Sequence, residues 1–313
     1  MSAVAQGTQA TDRARLKGVL LLLASGLVAS CGGPLFRAIE QATPWQILFY
    51  RALGMLLVVG LYAWGRAGWR FGRAFGGIGW RGLLAACCLT AAFVCYILAL
   101  SLTTVANTLF MVAAGPLVGA LLGRLFLGER VLTVTWVAML IAAGGIALMV
   151  WDGLGGGQFW GNLAGFGAGG WFACFAVILR GAALNGHRID PNAALCAGAL
   201  IGMAFSAAIS AGSGTGLLLA PADTAYALAL GVVQLGLALI FFTIGARYLR
   251  AAEAILLALL EVVLGPFWTW LIFAERPSDL GLVGGLILLG AMVLQGAWGL
   301  RPRRSAAVPE VLP

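Results

Sequence analysis

The chain has 313 residues, is 62% hydrophobic and only 10% charged, and carries a formal net charge of +8 with a mean hydropathy of +1.00. A soluble globular chain is nearer half apolar and a quarter charged, so an ordinary water-soluble domain is excluded. The basic excess does not point to nucleic acid, because the arginines flank long apolar runs instead of forming one patch.

About 20 apolar helical residues cross a hydrocarbon core of about 30 Å. Ten such runs are predicted, at 17–36, 44–64, 80–101, 104–127, 132–151, 160–180, 192–211, 222–246, 251–273 and 279–300. They do not alternate as barrel strands do, and lipid offers the backbone no hydrogen-bond partner. The expected class is therefore an all-α membrane protein with ten transmembrane helices. The basic segment 1–16 precedes the first run as a polar tail. That run is long and has no clear small-residue cleavage site, which predicts an uncleaved first span.

Span two holds Arg51 in an otherwise apolar stretch, seven residues past Pro44. At 1.5 Å per residue it lies about 10 Å beneath the span's starting end. Its side chain is expected to snorkel toward that surface, either holding the helix or attracting a substrate carboxylate. Span three carries Phe93 and Tyr96, and span four carries Phe110, Met111 and Gly115-Pro116. A Gly-rich linker, 152–159, follows span five. Span six has Gly161, Gly165 and Gly169 on one face, for which close helix packing is the default account, and Trp171 and Phe175 near its middle. "GSGTG" (212–216) lacks a Lys and a nearby base, so it reads as a flexible connection and not as a phosphate loop. Span eight contributes Gln234, Phe241 and Phe242, and span nine contributes Glu261, Gly265-Pro266 and Trp268. The six cysteines show no metal-ligand spacing and read as small apolar side chains.

Lys and Arg gather in cytoplasmic loops. With the N-terminus inside, sixteen of the nineteen basic residues fall on the cytoplasmic side: Arg13, Arg15, Lys17, Arg66, Arg70, Arg73, Arg81, Arg124, Arg130, Arg180, Arg188, Arg247, Arg250, Arg301, Arg303 and Arg304. Arg37 and Arg276 fall outside, and Arg51 lies within a span. Both termini are then cytoplasmic.

The chain contains itself twice. "SLTTVANTLFMVAAGPLVGALLGRLFLGER" (101–130) and "RYLRAAEAILLALLEVVLGPFWTWLIFAER" (247–276) are each thirty residues ending in Glu-Arg. Aligned there, Asn107 faces Glu253, while the two Gly-Pro pairs are offset by about one helical turn. The expected organisation is a tail (1–16), repeat one (17–151), the linker (152–159), repeat two (160–300) and a basic tail (301–313). Five spans per repeat is odd, so the second repeat enters the membrane inverted, the arrangement of many secondary transporters.

These repeats, each with a Pro in its fourth helix and a Glu at that helix's end, resemble the drug/metabolite transporter superfamily, specifically its EamA-type members. Within it the chain looks most like the YddG-type exporters of aromatic amino acids. In that family the Pro usually precedes the Glu by thirteen residues. Pro116 and Glu129 match this, whereas Val262 occupies the equivalent place in repeat two and Pro266 is displaced outward. The resemblance implies a bacterial inner-membrane transporter.

A transporter site is expected near the midplane between the repeats. Glu261 is the eleventh residue of a 23-residue span. An ionised carboxylate there costs about 2.5–3.5 kcal/mol, so such residues face the bundle interior. Glu261 and Gln234 can meet the ammonium and polar groups of an amino acid; Glu261 could instead carry a proton, or fix helix packing. The offset of about 8 Å between Arg51 and Glu261 along the bundle makes direct pairing marginal. Tyr96, Met111, Trp171 and Phe242 complete the candidate lining, though packing is an alternative for any single ring. Gly115, Pro116, Gly265 and Pro266 are candidate bends for gating, since Pro removes a backbone hydrogen bond. Glu129-Arg130 and Glu275-Arg276 read as helix-end contacts outside the site.

His187 is the single histidine and no Gly-Lys-Ser/Thr loop occurs, so neither a cofactor, a metal nor direct ATP coupling is expected. The expected partners are a small-molecule substrate and the lipid bilayer, with no nucleic acid; the oligomeric state is open and a monomer suffices. The leading function is secondary export of small metabolites, amino acids first, through one alternating cavity. The alternatives are a broad drug or quaternary-cation exporter, uptake by facilitated diffusion and, in a different class, a membrane scaffold or intramembrane enzyme.

Overall fold

The computed structural model describes residues 2–187, 189–249 and 251–299; Arg188, Arg250 and the basic tail 301–313 lie outside them. Among the described residues all regular structure is helical. Ten helices are long and apolar enough to cross a membrane, and they coincide with the ten predicted runs. The first span combines α1 (Ser2–Ser30) and α2 (Gly32–Arg37). Next come α3 (Pro44–Ala67), a short α4 (Trp69–Gly76) and α5 (Gly79–Leu102). Span four is α6 (Val105–Ala113) plus α7 (Gly115–Leu127), followed by α8 (Thr133–Gly156), α9 (Phe159–Leu184) and α10 (Pro191–Gly212). Span eight runs through α11 (Pro221–Ala229), a π-helical segment (Leu230–Leu237), α12 (Ala238–Gly245) and a 3-10 turn (Ala246–Tyr248). The last two are α13 (Ala251–Phe273) and α14 (Asp279–Gly299).

Local chemistry sets the ends. Thr43 and Gln46 form a capping box at α3, with Pro44 opening the helix. Thr104 caps α6 by accepting from the Asn107 N–H, and Asp190 caps α10 ahead of Pro191. The segment taken as a Gly-rich linker is mostly helix: α8 continues to Gly156 and stops where Gly157 adopts φ 71°. "GSGTG" is not a loose connection, because Gln46 donates to the carbonyls of Gly216 and Leu218, and Tyr50 to that of Leu217.

The two Gly-Pro pairs sit differently in their helices. Span four is interrupted at Ala114, just before Gly115-Pro116. Span nine continues through Pro266 as one helix. Its neighbours hold it there: Leu109 packs against Gly265, the Thr269 hydroxyl donates to the Gly265 carbonyl at 2.9 Å, and the Trp268 indole donates to Ser30. Two irregularities were not legible in advance, the break at Cys31 in span one and the π segment in span eight.

The helix pairings recur when each span is exchanged for the one five later. Span three packs on span six, as span eight packs on span one. Span one packs on span nine, as span six packs on span four; span three on seven corresponds to eight on two. Spans two and seven, four and nine, and five and ten pair with each other. The polar contacts follow the same rule. Arg37 of span one binds Glu275 of span nine, and Arg180 of span six binds Glu129 of span four. At the other ends of these helices, Arg15 binds Glu253 while Asn107 donates to Gln158. Glu129 and Glu275 are thus cross-repeat ion-pair partners at helix ends.

The glycines of span six are a packing surface, as the default account has it. A Cβ on Gly161 would meet the Leu102 backbone at 2.7 Å, one on Gly165 the Met111 Cβ at 3.0 Å, and one on Gly169 the Val112 carbonyl at 2.7 Å. The tightest backbone-to-backbone crossing is between α3 and the π segment, where a Cβ on Gly231 would sit 2.1 Å from the Arg51 carbonyl oxygen. Gly231→Ala should therefore destabilise by about 3 kcal/mol, at the upper end of overpacking costs. Gly170→Ala meets nothing within 4 Å and should be neutral or slightly stabilising. Thermal unfolding of detergent-purified protein would separate the two.

Candidate functional site

Four of the predicted site residues converge. Arg51 does not snorkel to the surface: it is 3% exposed, and its Nε and Nη2 lie 3.4 and 3.3 Å from Gln234 Oε1. The α3–π crossing brings Gly54 and Gly231 into backbone contact next to the Arg51 carbonyl. The guanidinium instead stacks on rings of α5, 4.8 Å from the Tyr96 centroid and 5.2 Å from that of Phe93. A buried arginine can be held by ring faces and a carbonyl in this way because its cation is delocalised and weakly hydrated. Tyr96, Phe93 and Gln234 are themselves buried.

Glu261 of α13 reaches the same group from the far side. It is within hydrogen-bonding reach of Gln234 and interacts electrostatically with Arg51 and Tyr96. A carboxylate only accepts, so the Gln234 amide nitrogen faces Glu261 while its oxygen faces Arg51. The offset foreseen along the bundle is thus spanned by an amide: cation, amide, anion. No Arg51–Glu261 ion pair within 4 Å occurs among the described residues, and Arg51 Nη1 is buried without a hydrogen-bond partner.

The π segment places the amide. A π turn inserts one residue into the helical repeat and is often found at functional sites. Here it carries Gln234 between Gly231 and Gly236, and α2 approaches so closely that a Cβ on Gly32 would meet Gln234 Cγ at 2.7 Å. The glycines flanking Gln234 in "LGVVQLGL" were the available signal for this close approach.

The other candidates lie elsewhere. Met111 is fully buried where α6 meets Gly165 of α9. Trp171 is 45% exposed on α9, a helix that packs chiefly on α5, α6 and α7. Phe242 is partly buried on α12, which packs against α1. Gly115 abuts Gly169 of α9 at the interruption of span four, and Gly265 abuts Leu109, so both Gly-Pro pairs sit in packed helix contacts.

Comparison with known proteins agrees with the two-part organisation. The family model described as "EamA-like transporter family" matches residues 16–151 and again 157–296. A solved structure described as "Crystal structure of protein" superposes with a TM-score of 0.66 at 17% sequence identity, covering 91% of this chain and 99% of that one. At that identity it speaks for the fold alone. No curated protein gives a significant match. With both matched segments spanning five helices, the chain belongs to the EamA-like transporter family, a family of multi-pass membrane transporters.

Proposed function

We propose that the chain is a secondary exporter of amino acids, those with aromatic or hydrophobic side chains first, working by alternating access between two inverted five-helix repeats. Both termini face the cytoplasm of a bacterial inner membrane. The observation that carries the substrate class is the Arg51–Gln234–Glu261 group, in which Arg51 and Gln234 are buried and Glu261 is partly buried. A zwitterion presents a carboxylate and an ammonium a few ångströms apart, and this group presents a cation and an anion on either side of one amide. The spare guanidinium N–H of Arg51 is a donor for the carboxylate, and Glu261 is an acceptor for the ammonium. With Arg51, Gln234, Phe93 and Tyr96 all under a tenth exposed, the cationic side of the site is closed, and substrate access to Arg51 requires the helices to separate.

The quaternary-cation alternative is disfavoured by the rings. Tyr96 and Phe93 would suit an organic cation, but Arg51 already stacks on both and would repel it. Counterflow in proteoliposomes tests the choice. A labelled aromatic amino acid should exchange, while its decarboxylated amine and tetraethylammonium should not. Exchange of the two cations in preference to the amino acid would replace this reading.

The inversion is supported by where the matched ion pairs lie. Arg37–Glu275 and Arg180–Glu129 join the same helices of opposite repeats but, by alternate threading, sit at opposite membrane faces. They are unequal locks. Arg37 also donates to the carbonyls of Leu100 and Thr103, Glu275 accepts the Val105 N–H, and both side chains are at least three-quarters buried. The Arg180 side chain is 65% exposed. Arg37→Ala should cost about 2 kcal/mol and Arg180→Ala under about 1 kcal/mol, measured by thermal unfolding in detergent. In liposomes only Arg37→Ala should raise labelling of a cysteine placed near Gly33.

A further inference from the structure

A second site lies where the first span begins and the eighth ends. Span one starts at Arg15 and span eight stops at Tyr248, so their meeting point is level with one membrane surface. Gly18 and Gly245 let the two helices touch; a Cβ on Gly18 would meet the Tyr248 Cβ at 2.8 Å. Two cavities flank this contact. One, of about 390 Å³, is apolar and lined by Leu16, Leu20 and Leu21, with Lys17 at its edge. The other, of about 510 Å³, is polar and lined by Arg15, Arg247, Tyr248, Leu249 and Glu253. Lys17 joins them, its ammonium 5.5 Å from the centre of the Tyr248 ring.

We infer that this is a binding site for one anionic phospholipid of the leaflet that the start of α1 faces. The two shallow depressions have the layout of such a molecule, a polar one beside an apolar one along a membrane helix. The charge fits. Arg15, Lys17 and Arg247 outnumber the one carboxylate, Glu253, which Arg15 already binds at 2.9 Å. The surplus is two positive charges facing a phosphodiester. A zwitterionic headgroup brings its own cation and gains less from that surplus. Leu16 and Leu20, each 58% exposed, offer the acyl chain a path along about the first turn and a half of the span. Basic pockets between helices at a membrane surface are suited to anionic lipid headgroups. The lipid would pin span one to span eight, the two spans that carry Gly32 and Gln234, so its effect would be felt as stability. The inference needs only that these helices span a membrane, and it does not rest on the proposed substrate.

The test uses full-length protein in detergent, titrated with dioleoylphosphatidylglycerol, dioleoylphosphatidylcholine or glycerol 3-phosphate and followed by thermal unfolding. Phosphatidylglycerol should bind at least about tenfold more tightly than phosphatidylcholine, and glycerol 3-phosphate should have no effect at the same concentrations. Arg247→Gln and Lys17→Gln should each weaken phosphatidylglycerol about fivefold, the worth of one cation near the surface, and leave phosphatidylcholine unchanged. Arg70→Gln, on α4, should change neither. Equal binding of the two lipids by the wild-type protein would overturn the site whether or not the variants fold. So would a phosphatidylglycerol preference that survives both substitutions. Binding of glycerol 3-phosphate as tight as that of the lipid would make it a soluble-anion site instead.

Discussion

Glu261→Gln should cut amino-acid counterflow by about 10- to 100-fold while leaving the protein folded. The magnitude is that of one charge-assisted hydrogen bond to the substrate ammonium, about 1.5–3 kcal/mol. Glutamine keeps the length and can still bond to the Gln234 amide, so the helix contacts of α13 should survive. What it loses is the negative charge facing Arg51 and Tyr96 across Gln234. An unchanged melting temperature with lost exchange would separate substrate recognition from packing. Glu261→Asp should recover part of the activity, because it restores the charge one methylene short. A substrate lacking the ammonium should be affected less by Glu261→Gln than the amino acid itself. Normal exchange in Glu261→Gln would remove this carboxylate from the site and return it to a packing role.

The features that the sequence made legible are those with a long-range signature. Ten apolar runs announce ten spans, and the thirty-residue repeat ending at Glu129 and Glu275 announces two halves. The same alignment paired Asn107 with Glu253, and the structure gives each of them a partner at the start of the other repeat's first helix, Gln158 and Arg15. The features hidden from view depend on helix rotation. A span that is apolar on all sides has no distinct face, so Arg51 could be placed in depth but not in direction. The snorkelling expectation assumed that no internal acceptor was available; the Gln234 oxygen and two ring faces provide one. Trp171 was likewise placed in depth but not in direction, and it lies 45% exposed on α9. The π segment was invisible because one inserted residue leaves hydrophobicity unchanged while rotating everything beyond it.

Arg51 and Glu261 should prove energetically coupled. Arg51→Gln leaves Nε2 of one amide facing another and strips Glu261 of the cation that offsets its burial, so it should destabilise by about 3 kcal/mol, as when one partner of a buried charge pair is removed. Arg51→Lys should be nearly as costly, since a lysine is a strongly hydrated point charge and cannot lie flat against Tyr96 and Phe93 while bonding Gln234. In the double variant Arg51→Gln/Glu261→Gln both charges are gone, and amides at 51, 234 and 261 can bond in series. It should regain most of the lost stability, giving a coupling of about 2 kcal/mol in a double-mutant cycle. Additivity within about 0.5 kcal/mol would show that Gln234 does not link the two charges. Transport should not recover with stability. A zwitterion needs both charges, so the double variant should be more stable than Arg51→Gln and still fail to exchange amino acids. Restored exchange would place the substrate elsewhere in the bundle.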